Sequence, residues 1–311
     1  MELEQQKKLL RARGICVVIP TFNNEGTIRQ VVCDVLEQCD DVIVVNDGCT
    51  DGTAEILRSI YGVHVVSYSQ NRGKGYALKV GFKKALDLGF AYAVTLDADG
   101  QHYPENIALF LKANQENPGS LIVGSRQLGG VDRSKGSSFA NKFSNFWFYI
   151  QTGRALDDTQ TGYRLYPLHK LWGLSLLTSR YEAELELLVF ASWHGVRLVP
   201  ISIPVFYPPR EQRVSHFRPG LDFARISVLN TVLCFLAVVY GLPCRVGRKL
   251  MVFIRTVYSL LFFFVSMFLV CTPCCWVYLH IGRITEKKRF FLHKIIYHGA
   301  RFVMIHHGIP G

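Results

Sequence analysis

From Ile15 onward the chain alternates short β-branched runs with stretches whose apolar residues recur every three or four positions. Ile15-Cys16-Val17-Val18-Ile19 is continuously apolar and stops at Pro20, the pattern of a strand buried on both faces. The period then becomes helical over 27–38, and the cycle repeats with strand 42–45, helix 53–60, strand 63–67, helix 75–88, strand 93–96, helix 104–114 and strand 121–123. Alternation with such short connections predicts a doubly wound α/β sheet. Beyond residue 125 the rhythm loosens into an aromatic-rich helix over 139–153, a short strand 163–167, a helix 181–193 and an extended segment 197–207. Pro200 and Pro204 confine that last segment to a sheet edge.

A different pattern begins after residue 218. The run 226–242 is apolar for about 17 residues, marginal for a bilayer crossing, and 258–281 is longer and almost uncharged, with Pro273 as a bend. Basic residues stand between the runs (Arg245, Arg248, Lys249, Arg255) and after them (Arg283, Lys287, Lys288, Arg289). Loop charge therefore does not orient one or two simple crossings. A re-entrant or interfacial hairpin keeps every basic cluster on one side and is the favoured arrangement. The expected organisation is a lead-in over 1–13, a globular domain over 14–218, hydrophobic membrane-associated helices over 219–282 and a basic segment over 283–311.

Charge narrows the partners. Thirty-five Lys and Arg against 24 Asp and Glu give a formal charge of +11, which favours anionic ligands. No zinc-finger spacing or RNA-binding signature points to nucleic acid, and the basic residues flank apolar runs, so phosphate-bearing lipid is the better match. The start of the chain, with Gln5, Gln6, Lys7 and Lys8, lacks the apolar core of a signal peptide. The globular part is expected in the cytoplasm, attached to a membrane, with its cysteines as free thiols.

Candidate chemistry sits at the ends of the predicted strands. Asn23 and Glu25 follow the first, Asp47 the second, and Asp97-Ala98-Asp99-Gly100-Gln101-His102 the fourth. Doubly wound sheets bind nucleotides at that edge. Two carboxylates at i and i+2, with a glycine permitting a sharp turn, can hold one Mg²⁺ or Mn²⁺ on a diphosphate. An acidic turn without a ligand has the same composition; three polar clusters on one edge favour the metal.

The motifs together resemble family 2 glycosyltransferases of the GT-A fold. Val18-Ile19-Pro20-Thr21-Phe22-Asn23-Asn24-Glu25 is similar to the family's opening strand, and Asn46-Asp47-Gly48-Cys49-Thr50-Asp51-Gly52-Thr53 to its second motif. Asn71-Arg72-Gly73-Lys74-Gly75 is similar to the third, and the aspartate cluster to the metal motif. The branch most resembled is that of dolichyl-phosphate mannose synthases and polyprenyl-phosphate glycosyltransferases, over roughly residues 14–215.

The resemblance implies a Rossmann-like mixed sheet with helices on both faces and a metal-dependent, inverting transfer from a UDP- or GDP-sugar to a lipid acceptor, most readily polyprenyl phosphate. It assigns Pro20, Asn23, Glu25, Asp47, Lys74 and Asp97 to the donor, with Arg213 on its diphosphate, and Asp97, Asp99 and Gln101 to the metal. Arg126 and Arg133 fall on the acceptor-phosphate segment, where guanidinium forks suit phosphate oxygens. Asp158-Thr159-Gln160-Thr161-Gly162-Tyr163-Arg164 looks like a further family stretch, in which Arg164 has Asp158 as a candidate ion-pair partner.

Asp99, Glu182 and Glu184 are the catalytic candidates. The two glutamates open a helix and would serve as a general base only toward a hydroxyl acceptor such as diacylglycerol, since a lipid phosphate is already ionised. The partners implied are a nucleotide sugar, a lipid acceptor and a membrane, with room for a homo-oligomer. A nucleotidyltransferase would carry a glycine-rich basic loop where this chain has Thr21-Phe22-Asn23-Asn24-Glu25. A non-catalytic membrane scaffold keeping the fold is the remaining alternative.

Overall fold

The computed structural model describes residues 2–126, 135–174, 176–206, 219–241 and 257–258. The chain divides into two units, Met1–Arg245 and Val246–Gly311, and the fold described is that of the first. Seven strands form one sheet in the order β3-β2-β1-β4-β6-β5-β7: β1 Ile15–Thr21, β2 Val42–Asp47, β3 Val63–Tyr68, β4 Tyr92–Thr95, β5 Leu121–Arg126, β6 Arg164–Pro167 and β7 Leu198–Ile203. The helices are α1 Leu3–Ala12, α2 Ile28–Gln38, α3 Thr53–Arg58, α4 Lys74–Asp87, α5 Ile107–Glu116, α6 Lys135–Thr152, α7 Leu168–Leu171, α8 Glu182–Trp193 and α9 Pro219–Leu236.

β1 is buried at all seven positions because both of its faces are covered, and successive side chains divide between two cores. Cys16 and Val18 join Ile43, Val45, Ala77, Leu187 and Leu188 on one face. Ile15, Val17 and Ile19 join Val32, Val35, Val42, Val44 and Phe110 on the other. The predicted doubly wound, mixed α/β sheet is therefore present. β7 lies at one edge, paired in parallel with β5, as its prolines required.

Two features position the site. Chain order reverses at β1, whose neighbours are β2 and β4, so a crevice opens at the carboxyl ends of β1 and β4. β6 runs antiparallel to both β4 and β5, which brings the segment before it, 157–163, to that same edge. Strands β2 and β5 extend further than predicted, to Asp47 and Arg126, so both side chains stand on the sheet rather than in loops. The lead-in over 1–13 is largely helix α1, packed through Gln6 and Leu10.

Among the described residues no helix is long and apolar enough to cross a membrane. Nearly all of the apolar stretch 258–281, the basic segment 283–311, Arg133 and Arg213 lie outside the described residues.

Candidate active site

The loops after β1 and β2 brace each other across the crevice. Pro20 is buried within β1 opposite Val45. Asn23 adopts a positive φ of 52°; its Oδ1 accepts the Thr50 N–H at 2.8 Å and its Nδ2 donates to Thr50 Oγ1 at 3.2 Å. Glu25 Oε2 accepts the Gly52 N–H at 2.8 Å, while Asp51 accepts the Glu25 N–H at 3.1 Å. Asn23 and Glu25 thus join the two strand ends that form one wall.

Asp47, at the end of β2, is 3% exposed. Its carboxylate accepts the backbone N–H of Arg72 at 2.7 Å, that of Gly73 at 2.9 Å and Nδ2 of Asn71 at 3.2 Å. It fastens the loop that leads into α4 and leaves little acceptor capacity for anything else.

That loop delivers Lys74 as the first residue of α4, where the helix dipole opposes a cation. Two carboxylates hold it there: Nζ lies 2.7 Å from Asp97 Oδ1 and 2.9 Å from Glu184 Oε2. Burial alone would push the Lys74 ammonium down, but Asp97 and Glu184 outweigh it and raise its pKa, so it stays charged. Burial likewise opposes ionisation of Asp97, and Lys74 overrides it to hold that carboxyl below its ordinary value.

The aspartate turn closes the other wall. Thr27 Oγ1 donates to the Ala98 carbonyl at 2.7 Å, and Asp99 Oδ1 accepts the Gln101 N–H at 3.0 Å. Gly100 turns the chain at φ 74°. The Gln101 carbonyl accepts the Phe206 N–H at 2.9 Å, tying the turn to the segment after β7. Burial, reinforced by the charge of Asp97, pushes the Asp99 carboxyl up to about 6. Burial drives His102 down to about 4, so it stands neutral.

A divalent cation would suit this turn, since it would relieve two neighbouring carboxylates, one of them raised by burial and by its neighbour's charge. Among the described residues no three His, Cys, Asp or Glu side chains form a complete cage. Mg²⁺-type sites use one or two carboxylates and complete the shell with water and substrate phosphate, so such a cage is not required of them. Gln101 stands beside the pair as the expected third protein ligand.

The acceptor side differs in part from expectation. Arg126 forms a fork with Asp158, Nε to Oδ2 at 2.5 Å and Nη2 to Oδ1 at 2.8 Å. Asp158 is therefore the partner of Arg126, not of Arg164. Arg164 is fully buried and donates to the carbonyls of Thr159 at 2.8 Å and Glu184 at 2.9 Å, and to the Tyr166 hydroxyl at 3.2 Å. Burying a guanidinium is tolerated where oxygens collect its N–H groups. Glu182 is buried, and its Oε2 has no partner among the described residues.

Gly162 was not singled out by the sequence. A Cβ there would lie 2.5 Å from Asp97 Oδ2 and 2.7 Å from Lys74 Nζ, so with any larger residue the ends of the ion-pair side chains would have to shift for the 157–163 segment to close over them.

A half-buried carboxylate pair thus stands at the switch point, with a lysine bridging Asp97 to α8 and an arginine at the end of β5. The glycosyl transferase family 2 profile matches residues 16–166. The dolichyl-phosphate N-acetylglucosaminyltransferase of Methanococcus voltae, named as using UDP-N-acetylglucosamine, is 30% identical over 216 residues, covering 62% of this chain and 86% of that protein. The polyprenol monophosphomannose synthase of Mycolicibacterium smegmatis is 32% identical over 217 residues, covering 64% and 79%.

In fold, the chain is similar to the glucosyl-3-phosphoglycerate synthase of Mycobacterium tuberculosis, solved with Mn²⁺, UDP and glucosyl-3-phosphoglycerate. The TM-score is 0.58 at 18% identity, covering 76% of this chain and 84% of that one. This chain belongs to the family 2 glycosyltransferases and is an enzyme of the GT-A-like α/β fold.

Proposed function

We propose that the protein transfers a sugar, with inversion, from a UDP- or GDP-linked donor to polyprenyl phosphate at a membrane. The observation that carries this reading is the state of the two glutamates. Glu184 Oε2 is held by Lys74 at 2.9 Å, and although Glu184 Oε1 and Glu182 Oε2 have no partner among the described residues, both glutamates are only 7% exposed, which gives an acceptor hydroxyl little access to either as a base. A lipid phosphate needs none: its oxygen attacks the anomeric carbon from the face opposite the departing nucleoside diphosphate. Two relatives are named for such acceptors, dolichyl phosphate and polyprenol phosphate.

In this reading Asp97, Asp99 and Gln101 hold Mg²⁺ or Mn²⁺, which supplies charge neutralisation for the leaving diphosphate. Lys74 orders the carboxylates beneath it. Pro20, Asn23, Glu25 and Asp47 shape the donor wall, and Arg213 reaches the diphosphate. Arg126 and Arg133 meet the acceptor phosphate, with Asp158 holding the Arg126 fork in place.

Attachment to a membrane has support within the folded domain. α6 exposes Phe146, Tyr149 and Ile150, each more than half accessible, and α9 exposes Val228 and Phe235. The helices are joined by a buried bond from Gln151 Nε2 to Asn230 Oδ1 at 2.9 Å. Apolar stripes of this extent suit a lipid surface.

The test is transfer from a panel of UDP- and GDP-sugars into membrane lipid extract with Mn²⁺ or Mg²⁺, with Asp99→Ala as control. Metal-dependent labelling of a polyprenyl-phosphate fraction, lost in the variant, is expected. Labelling of diacylglycerol instead would overturn the phosphate acceptor, and no transfer with any donor or metal would leave a scaffold.

A further inference from the structure

The Asp97–Lys74–Glu184 arrangement is fixed from three sides. The start of α4 presses on both the first turn of α8 and the segment before it: a Cβ on Gly75 would collide with the Ala183 Cβ, and one on Gly73 would stand 2.8 Å from the Ser179 carbonyl. Gly162 covers the ammonium, where a methyl group would push the ends of the ion-pair side chains aside. Arg164 Nη1 donates to the Glu184 carbonyl at 2.9 Å, fastening the start of α8 to β6. Within this frame Glu184 is 7% exposed, and its carboxylate meets Asp97 only across the Lys74 ammonium.

Glu184 gives Oε2 to Lys74, while its Oε1 has no hydrogen-bond partner among the described residues, so a direct role as base and a role through Lys74 must be told apart. We infer that Glu184 is a positioning residue that acts through Lys74: by sharing the ammonium it prevents Lys74 from neutralising Asp97 and so keeps the aspartate pair competent for a divalent cation. Charge counting shows the balance. Among these four groups, Asp97, Asp99 and Glu184 against Lys74 leave two net negative charges; the buried Arg164, which also acts on Asp97 and Glu184, is the same in every variant compared below. Without the Glu184 charge only one remains, and Lys74 has Asp97 as its sole partner. The inference rests on the metal-dependent reading of Asp97 and Asp99.

The test is Mn²⁺ binding to the full-length protein without nucleotide, read from the EPR signal of free Mn²⁺, for wild type, Glu184→Gln, Lys74→Met and the double variant. Glu184→Gln is expected to weaken Mn²⁺ binding about tenfold or more, because Lys74, left with Asp97 as its sole partner, is drawn onto the carboxylate the cation needs. Glu184→Asp recovers most of the loss, which also guards against a Gln variant that fails to fold. In the Lys74→Met background the same Gln substitution costs less than about threefold, because the route through the ammonium is gone.

An equal penalty in both backgrounds overturns the inference. So does unchanged Mn²⁺ affinity in Glu184→Gln with turnover lost and the acidic limb of its pH profile altered, the mark of a general base. Wild-type protein that binds no Mn²⁺ while still transferring sugar overturns the metal reading itself, and the inference with it.

Discussion

Replacing Asp47 with Asn asks what the second-strand carboxylate does, because the change keeps shape and removes one acceptor. Asp47 takes two backbone N–H groups, from Arg72 at 2.7 Å and Gly73 at 2.9 Å, in a pocket 3% exposed. Asn can still accept the Arg72 N–H with its carbonyl, but its amide NH₂ then faces the Gly73 N–H, donor against donor. A hydrogen bond to a charged group is worth about 1.5–3 kcal/mol, and an orphaned buried N–H costs about 1–3 kcal/mol. Because these overlap, about 3 kcal/mol of destabilisation is expected, a fall of about 6–12 °C in Tm for a domain of this size. Thermal unfolding followed by circular dichroism measures it, and hydrogen exchange at the Gly73 amide localises it. The loop leads straight into Lys74, so transfer should fall as well. A midpoint within about 2 °C of wild type, with the Gly73 amide still protected, would refute the claim that this carboxylate fastens the loop.

Other outcomes follow from the same geometry. Asp158→Asn breaks a largely buried fork to Arg126 and should cost about 3 kcal/mol. Burial pushes the Asp158 carboxyl up, but Arg126 overrides this and holds it below its ordinary value. Its contribution is therefore fully present above the unfolded pKa of about 3.9 and lost as pH falls through the lower folded value. The stability gap between wild type and variant in urea titrations should be flat from about pH 5 to 8 and close below about pH 4; a gap that widens in acid contradicts the pairing. Gly162→Ala must displace the Asp97–Lys74 pair, and turnover should drop by about 100-fold, as an ångström-scale misplacement commonly does. Phe146→Glu with Phe235→Glu should abolish co-sedimentation with anionic vesicles while shifting Tm little, since both side chains are exposed.

What was legible followed from periodicity and local chemistry. The continuous run Ile15–Ile19 announced a strand covered on both faces, and Asp97 and Asp99 were found because a strand ending in spaced carboxylates is a local pattern. Partner choice was not local. Asp158 stands six positions from Arg164 and 32 from Arg126, yet the antiparallel run of β6 turns Arg164 into the interior and offers Asp158 to the end of β5. Lys74 and Glu184 meet from distant parts of the chain, and no spacing rule joins them. Gly162 sits inside a motif that was recognised, but its role exists only once the segment before β6 has closed over the ammonium. Helix α1 escaped notice because one of its two buried positions is Gln6, so no apolar stripe marked it.

The sheet's direction also divides the surface for anyone wishing to handle the protein. Parallel strands place every substrate-facing loop at their carboxyl ends, and β6, by running backwards, adds its own leading segment there. The opposite rim carries the turns entering β3, β4 and β7, where Gly62, Gly89 and Gly195 have open space beside their Cα atoms. A spectroscopic probe, an affinity tag or an inserted reporter belongs at one of those three turns. From there it can be tethered or imaged while the catalytic rim is left untouched.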